Sequence, residues 1–173
     1  MDFSQYIRDV KDFPKAGIVF KDITTLLKDA VALRAAGQQL YEYAKDLRVT
    51  KVVGIESRGF IYGLALAEKL GAGFVPVRKP GKLPADTLRE AYTLEYGTDA
   101  LEIHKDAIEK GDRILIHDDL LATGGTISAA CKLVEALGGE IVQLSFLIEL
   151  GFLKGRNRLE KYDIKALINY TEE

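Results

Sequence analysis

Apolar positions along this chain follow two alternating rhythms. Short β-branched runs bounded by turns have the length of buried strands, and longer stretches with apolar residues three and four apart have the period of helices. Phe3, Tyr6, Ile7 and Val10 mark one face of a short amphipathic helix, which Phe13-Pro14-Lys15-Ala16-Gly17 breaks. Ile18 to Ile23 is too short and too close to turns to be assigned as a strand. A long helix is expected from Asp29 to Leu47, then a strand over Lys51–Ile55, a helix from Phe60 to Leu70 and a strand over Phe74–Arg78. Ala91–Tyr96 and Ala100–His104 flank Gly97-Thr98-Asp99 as a β-hairpin. Lys105–Gly111 reads as a helical turn, and Ile114-Leu115-Ile116 as a buried strand. The next helix runs through Ile127, Ala130, Cys131, Val134 and Leu137 and ends at Gly138-Gly139. Glu140–Ile148 is a strand, Gly151–Lys161 is polar with room for a helical turn, and Ile164–Tyr170 closes the chain as a strand. Such alternation predicts an α/β fold: a parallel sheet with helices on both faces, plus the hairpin, in a single domain over residues 1–173.

Composition narrows the functional classes. Apolar residues make up 47% and charged residues 29% of the chain, as in an ordinary globular protein. Net charge is −2 and no long Lys/Arg block appears, so neither a nucleic-acid nor a membrane partner gains support. No run reaches the length of a membrane span, and Met1-Asp2-Phe3-Ser4-Gln5 lacks the apolar core of a signal peptide. Cys131 is the sole cysteine, which excludes an internal disulfide and fits a reducing, cytoplasmic setting.

The densest chemistry lies between Arg113 and Thr126. A strand leads into Asp118-Asp119, then into the small-residue loop Ala122-Thr123-Gly124-Gly125-Thr126 and a helix. A glycine-rich loop at a helix N-terminus presents unpaired N–H groups and the positive end of the helix dipole, which together cradle a phosphate. Thr123 and Thr126 add hydroxyl donors. Ionised carboxylates only accept hydrogen bonds and would repel the same phosphate, so the acid pair suits a pair of sugar hydroxyls. A phosphate at one end and a diol at the other describes ribose 5-phosphate. The competing readings are a solvated strand end that caps a helix, or a metal-holding pair as in P-loop NTPases. The latter family also needs G-x-x-x-x-G-K-[ST], and neither that motif nor G-x-G-x-x-G after a strand occurs here.

Other stretches admit two readings each. Phe20 is either a core aromatic or a loop aromatic that stacks on a flat ring. Glu56-Ser57-Arg58-Gly59 is either a capped helix start with a surface Arg or a second anion site. Arg78, Lys79 and Lys82, separated by Pro80 and Gly81, are either a solvated edge or positive charge for an anionic leaving group. Glu95 in Leu94-Glu95-Tyr96-Gly97 reads as one outward acid of an alternating strand. His104 and His117 have no partner in metal-ligand spacing and read as structural.

Ile114 to Thr126 resembles the phosphoribosyl-diphosphate (PRPP) binding motif of type I phosphoribosyltransferases, and Asp118 to Thr126 is similar in particular to the family's adenine-using members. The resemblance extends from Phe13 to about Gly151. It implies that the chain transfers 5-phosphoribosyl from PRPP to adenine, giving AMP and pyrophosphate for purine salvage through an oxocarbenium-like transition state. It further implies Mg²⁺ held mainly by the substrate with no direct protein ligand, and a homodimer. Residues 1–28 correspond to the base-binding segment and about 79–104 to a flexible lid.

Carried over residue by residue, the resemblance gives Val19, Phe20, Lys21 and Leu120 to adenine and Asp118 with Asp119 to the ribose. Ala122, Thr123, Gly124, Gly125 and Thr126 go to the 5′-phosphate. Glu56, Ser57, Arg58, Gly59, Arg78, Lys79 and Lys82 face pyrophosphate. Glu95, with Tyr96 and Arg58, would act at the reaction centre, Glu95 on the purine proton. Two departures stand out: Lys21 where many members have Arg, and His117 where an apolar residue is expected. Alternatives from other classes are a transferase for a 6-oxopurine and a non-catalytic regulator that binds PRPP as a signal.

Overall fold

The computed structural model describes residues 1–93 and 97–172. Its centre is a five-stranded sheet, and every neighbouring pair in it is parallel. In chain order the elements begin with a ribbon of β1 (Arg8–Lys11) and β2 (Val19–Asp22), then α1 (Thr24–Leu27) and α2 (Ala30–Ala44). There follow β3 (Lys51–Ile55), α3 (Gly59–Leu70), β4 (Gly73–Val77) and the antiparallel hairpin β5 (Thr87–Thr93) and β6 (Thr98–His104). The last third holds β7 (Arg113–Leu121), α4 (Gly125–Ala136), β8 (Glu140–Leu150) and β9 (Ile164–Tyr170). The order across the sheet is β4-β3-β7-β8-β9. Among the described residues no helix is long and apolar enough to cross a membrane.

Strand alternation sends neighbouring side chains to opposite layers. Leu115 is fully buried under α2 and α3, and Ile114 and Ile116 are fully buried under α4 and the hairpin. Each such burial stabilises the fold by about 2 kcal/mol. Helices therefore cover both faces, as the pattern predicts. α2 starts on the side chain of Asp29, which accepts from the amides of Val31 and Ala32. α3 stops at Gly71, whose φ of 65° is left-handed.

Several expectations change at the edges. The N-terminal helix does not extend to Val10. It is a single 3₁₀ turn, Phe3–Tyr6, capped by Asp2, and Ile7 is already extended. Arg8–Lys11 instead pairs with Val19–Asp22, because a strand partner satisfies the backbone that a short isolated helix would leave open. Lys105–Gly111 forms turns without a helix. The hairpin strands start earlier than expected, and the core takes in Ala100, Leu101 and Ile103. β6 is also tied to the sheet, since Arg78 and Glu102 exchange backbone hydrogen bonds of 3.0 and 2.8 Å.

The central strand outlasts the apolar run. β7 continues through both acids to Leu121 because the longer β8 runs alongside and pairs Asp118 with Phe146 and Leu120 with Ile148. His117 sits inside this core, fully buried, with its Nδ1 3.1 Å from Ser145 Oγ and its ring edge-on to Tyr62. Burial pushes its pKa down to about 3, so it is neutral.

Candidate active site

The carboxyl ends of β3, β4 and β7 and the start of α4 meet around one cavity of about 460 Å³. Ligands in open α/β sheets bind at such an edge. Its walls include Glu56, Ser57 and Arg58 from the β3–α3 loop, Lys79 after β4, Asp118, Asp119 and Leu120 from β7, and Ala122 and Thr126 beyond it. A smaller hollow of about 70 Å³ adjoins it, formed by the loop from Ala122 to Thr126 with the end of β7. The sequence-predicted sugar and phosphate residues are thus brought together.

The phosphate-like loop owes its shape to close packing. Gly124 has a left-handed φ of 83°, and a Cβ there would lie 2.7 Å from the Gly155 carbonyl oxygen. With glycine at Gly124 and Gly125, the first amides of α4 are left without intrahelical acceptors and open to an anion.

The acid pair is held rather than solvated. Asp119 is only 5% exposed, and its Oδ2 is 2.7 Å from Arg58 Nε. Asp118 Oδ1 accepts from the Asp119 amide at 2.9 Å. Burial, and then the neighbouring charge of Asp119, raise the Asp118 carboxyl well above its usual range. Burial raises Asp119 as well, and the Arg58 guanidinium opposes that shift. α3 presses directly on this pair: a Cβ on Gly59 would lie 2.9 Å from Asp118 Oδ1 and 2.9 Å from the His117 carbonyl oxygen.

The basic side chains around the cavity are paired with carboxylates. Glu56 gathers three donors: Arg78 through Nε and Nη2 at 3.3 and 3.2 Å, the Lys79 amide at 3.0 Å and Lys82 Nζ at 2.5 Å. Burial would raise the Glu56 carboxyl, but Lys82, the Lys79 amide and Arg78 outweigh it and hold its pKa at about 2. The Glu56–Ser57 peptide is cis. Lys79 Nζ contacts Asp99 and donates to the Tyr92 hydroxyl at 2.9 Å. Glu56 thus organises cations, and as a carboxylate it is no direct acceptor site for an anion.

Phe20 is partly buried on the β1–β2 ribbon. Its ring carries the Arg58 guanidinium at 4.9 Å and meets Phe13 edge-on at 5.2 Å. This connects the ribbon to the acid pair through one side chain. Lys21 points elsewhere, pairing with Asp9 at 2.9 Å and lying 4.2 Å over the Tyr170 ring. Val19 pairs with Lys11 in the ribbon.

Glu95 and Tyr96 lie outside the described residues. Tyr92, Leu101 and Asp99 were missed as parts of the cavity or its support, since a hairpin's docking register leaves no local motif. Among the described residues no three His, Cys, Asp or Glu side chains converge as a metal cluster.

Comparisons with known proteins place the chain in a family. Residues 21–170 match the family described as phosphoribosyl transferase domain. The chain is 57% identical to adenine phosphoribosyltransferase of Christiangramia forsetii over 99% of this chain and 100% of that protein. It is 59% identical to that of Alkaliphilus oremlandii over 98% and 99%. The crystal structure of adenine phosphoribosyltransferase from Thermoanaerobacter pseudethanolicus superposes with a TM-score of 0.95 at 55% identity, covering 97% of this chain and 98% of that one. The enzyme from Giardia lamblia complexed with 9-deazaadenine gives 0.93 at 39% identity, covering 99% and 97%. On these matches over nearly its whole length, together with the site they share a fold with, the chain belongs to the adenine phosphoribosyltransferases of the phosphoribosyl transferase family.

Proposed function

We infer that the protein transfers the 5-phosphoribosyl group of PRPP to N9 of adenine, giving AMP and pyrophosphate. The observation that carries this reading is the cavity where the Asp118–Asp119 pair meets Glu56, Ser57 and Arg58, with the hollow of the Ala122–Thr126 loop adjoining it. The bond from C1 of the ribose to pyrophosphate breaks, the bond from C1 to N9 forms, and the N9 proton leaves the base. With an oxocarbenium-like sugar no protein nucleophile is needed, and rate comes from positioning and electrostatics.

The amides and hydroxyls of Ala122, Thr123, Gly124, Gly125 and Thr126 bind the 5′-phosphate. Asp118 and Asp119 accept from the ribose hydroxyls and set negative charge beside the developing cation. Arg78, Lys79 and Lys82 take the leaving pyrophosphate, exchanging their present carboxylate partners for phosphate oxygens. Ser57, Arg58 and Gly59 face the same group. Phe20 and Leu120 hold the base between them, with main-chain contacts from Val19 and Lys21, and Glu95 beside Tyr96 takes the purine proton.

Mg²⁺ belongs with PRPP. Two adjoining carboxylates, one covered by Arg58, fit an ion that arrives with its own phosphate ligands better than a protein cage, and that ion supplies charge neutralisation for the leaving group. The buried thiol of Cys131 suits a reducing, cytoplasmic setting. Val31 on α2 and Ile61 and Leu64 on α3 expose apolar side chains, which supports a homodimer that covers them. A lid role for residues 79–104 would have to leave Leu101 and Ile103 in place, since both are fully buried in the core.

The test mixes the protein with PRPP, Mg²⁺ and adenine, hypoxanthine or guanine, and follows pyrophosphate and nucleotide. AMP from adenine alone is expected. Product from a 6-oxopurine would overturn the base assignment, and no product from any base would overturn the catalytic reading.

A further inference from the structure

The segment after β8 carries no sequence motif, yet it is fastened to the back of the phosphate loop. It forms two 3₁₀ turns, Gly151–Leu153 and Gly155–Arg158. Arg156 grips the buried Glu149 with Nε at 2.6 Å and Nη2 at 2.7 Å, and Leu159 is 1% exposed in the core. Just before these anchors Gly155 packs against the loop. A Cβ at Gly155 would come 2.2 Å from the Ala122 carbonyl oxygen.

This fastening sets the direction of Arg158. Its Nη1 lies 3.9 Å from the position of a Cβ on Gly125, the first residue of α4. The Thr93 carbonyl oxygen and Tyr92 Cδ2 each approach the same point at 3.6 Å. Arg158 is exposed, and among the described residues it has no hydrogen-bond or ion-pair partner. The other cations of the site are engaged, Arg58 on Asp119, Arg78 and Lys82 on Glu56, and Lys79 on Asp99.

The loop itself offers a doubly charged phosphate only neutral donors. Ala122 to Thr126 contains no cation, and two carboxylates stand immediately before it in β7. An uncommitted guanidinium at the rim is the missing charge.

We propose that Arg158 is a ligand-binding residue of this site, pairing with the 5′-phosphate of the bound phosphoribosyl group from beside the first turn of α4. The proposal rests on the transferase reading for the identity of the ligand. Geometry favours the 5′-phosphate over pyrophosphate because Arg158 borders Gly125, whereas the cations nearest the other end come from the loop after β4. Its guanidinium donates to phosphate oxygens and makes no covalent change.

The experiment compares wild type, Arg158→Gln and Arg158→Lys by titration calorimetry with AMP and with adenosine, and by steady-state kinetics. Loss of one charge-assisted contact predicts AMP affinity down about tenfold in Arg158→Gln, adenosine affinity unchanged, and partial recovery in Arg158→Lys. KM for PRPP should rise by a similar factor while kcat stays within about twofold, and the salt dependence of AMP binding should flatten. Equal losses for AMP and adenosine, or a fall in Tm that tracks the loss, would make Arg158 a structural residue and overturn the proposal. So would unchanged AMP affinity. Wild-type protein that binds AMP but forms none from adenine and PRPP would defeat the transferase reading while leaving the Arg158 result readable.

Discussion

Arg58 stacks over Phe20 at 4.9 Å and reaches Asp119 at 2.7 Å with the same side chain. It therefore spans the places assigned to base and ribose. A purine that stacks on this face of Phe20 must displace the guanidinium, and a sugar hydroxyl must compete for Asp119. A cation–π contact of about 0.5–1 kcal/mol at a partly exposed site corresponds to a two- to fivefold penalty on base binding. Arg58→Ala should accordingly bind free adenine a few-fold more tightly without PRPP, while turnover should fall with the loss of the proposed pyrophosphate contact. Fluorescence or calorimetric titration of adenine alone checks this, and unchanged or weaker adenine binding would refute the displacement.

Asp118 carries a proton more readily than an ordinary aspartate because it is poorly solvated and stands beside Asp119. Its folded pKa lies above the unfolded one, so its ionisation costs stability as pH rises from the usual carboxylate value through the folded value. Asp118→Asn should raise Tm at neutral pH and remove that pH dependence, while AMP binding is largely lost. A variant with lower Tm and unaltered AMP affinity would contradict both halves. Ribose hydroxyls favour the ionised form, so AMP binding at mildly acidic pH should release protons, seen as a heat that varies with buffer ionisation enthalpy.

Glu56 behaves oppositely. Its folded pKa of about 2 is depressed by Lys82, Lys79 and Arg78, so it stabilises the fold fully above about pH 4.5 and loses that contribution as pH falls towards 2. Since Arg78 and Lys82 are 34% and 48% exposed, solvent screening reduces the effect to about 1–2 kcal/mol. Denaturant unfolding of Glu56→Gln should show that loss at pH 7 and little difference from wild type near pH 2.

His117 adds a second acid sensitivity with its own window. Its folded pKa of about 3 lies below the ordinary value of 6.5, so the unfolded chain takes up a proton first as pH falls. Stability is full above about pH 6.5 and declines below it, by about 2 kcal/mol at pH 5. In His117→Leu the loss of stability between pH 6.5 and 5 should disappear and leave only the opposite slope set by Asp118, with a constant offset for the Ser145 hydroxyl left without its partner. Identical slopes for wild type and His117→Leu over the same interval would exclude a buried neutral histidine.

The repeating layers were legible because burial on both faces writes continuous apolar runs. Lys51–Ile55 and Ile164–Tyr170 form strands at the bounds expected from the pattern. Asp118 and Asp119 look like a strand end in sequence, yet they belong to β7 because a neighbouring strand eleven residues long pairs past them. Tertiary pairing of this kind has no local signature. The same is true of Phe3 to Val10, where the ribbon partner lies beyond a Pro and Gly turn. Cations are visible in sequence, but their partners are not: Glu56 meets Lys82 from 26 positions away. Arg158 escaped notice for the same reason, since it reaches Gly125 only through the docking of Gly155.

The β1–β2 ribbon is hydrogen-bonded only to itself as a sheet, whereas β7 lies between β3 and β8 in the middle of the five-stranded one. Native-state hydrogen exchange would see these as separate cooperative units, because local opening follows the contacts a segment must break. The ribbon that carries Phe20 can fray at low free energy, held to the body by contacts such as that of Lys21 with Tyr170. The strand that carries Asp118 opens only with the whole domain. On the proposed base and ribose assignments, exchange should then find the base side of the site opening more readily than the sugar side, so that a purine would enter through the yielding half while the sugar end keeps its register.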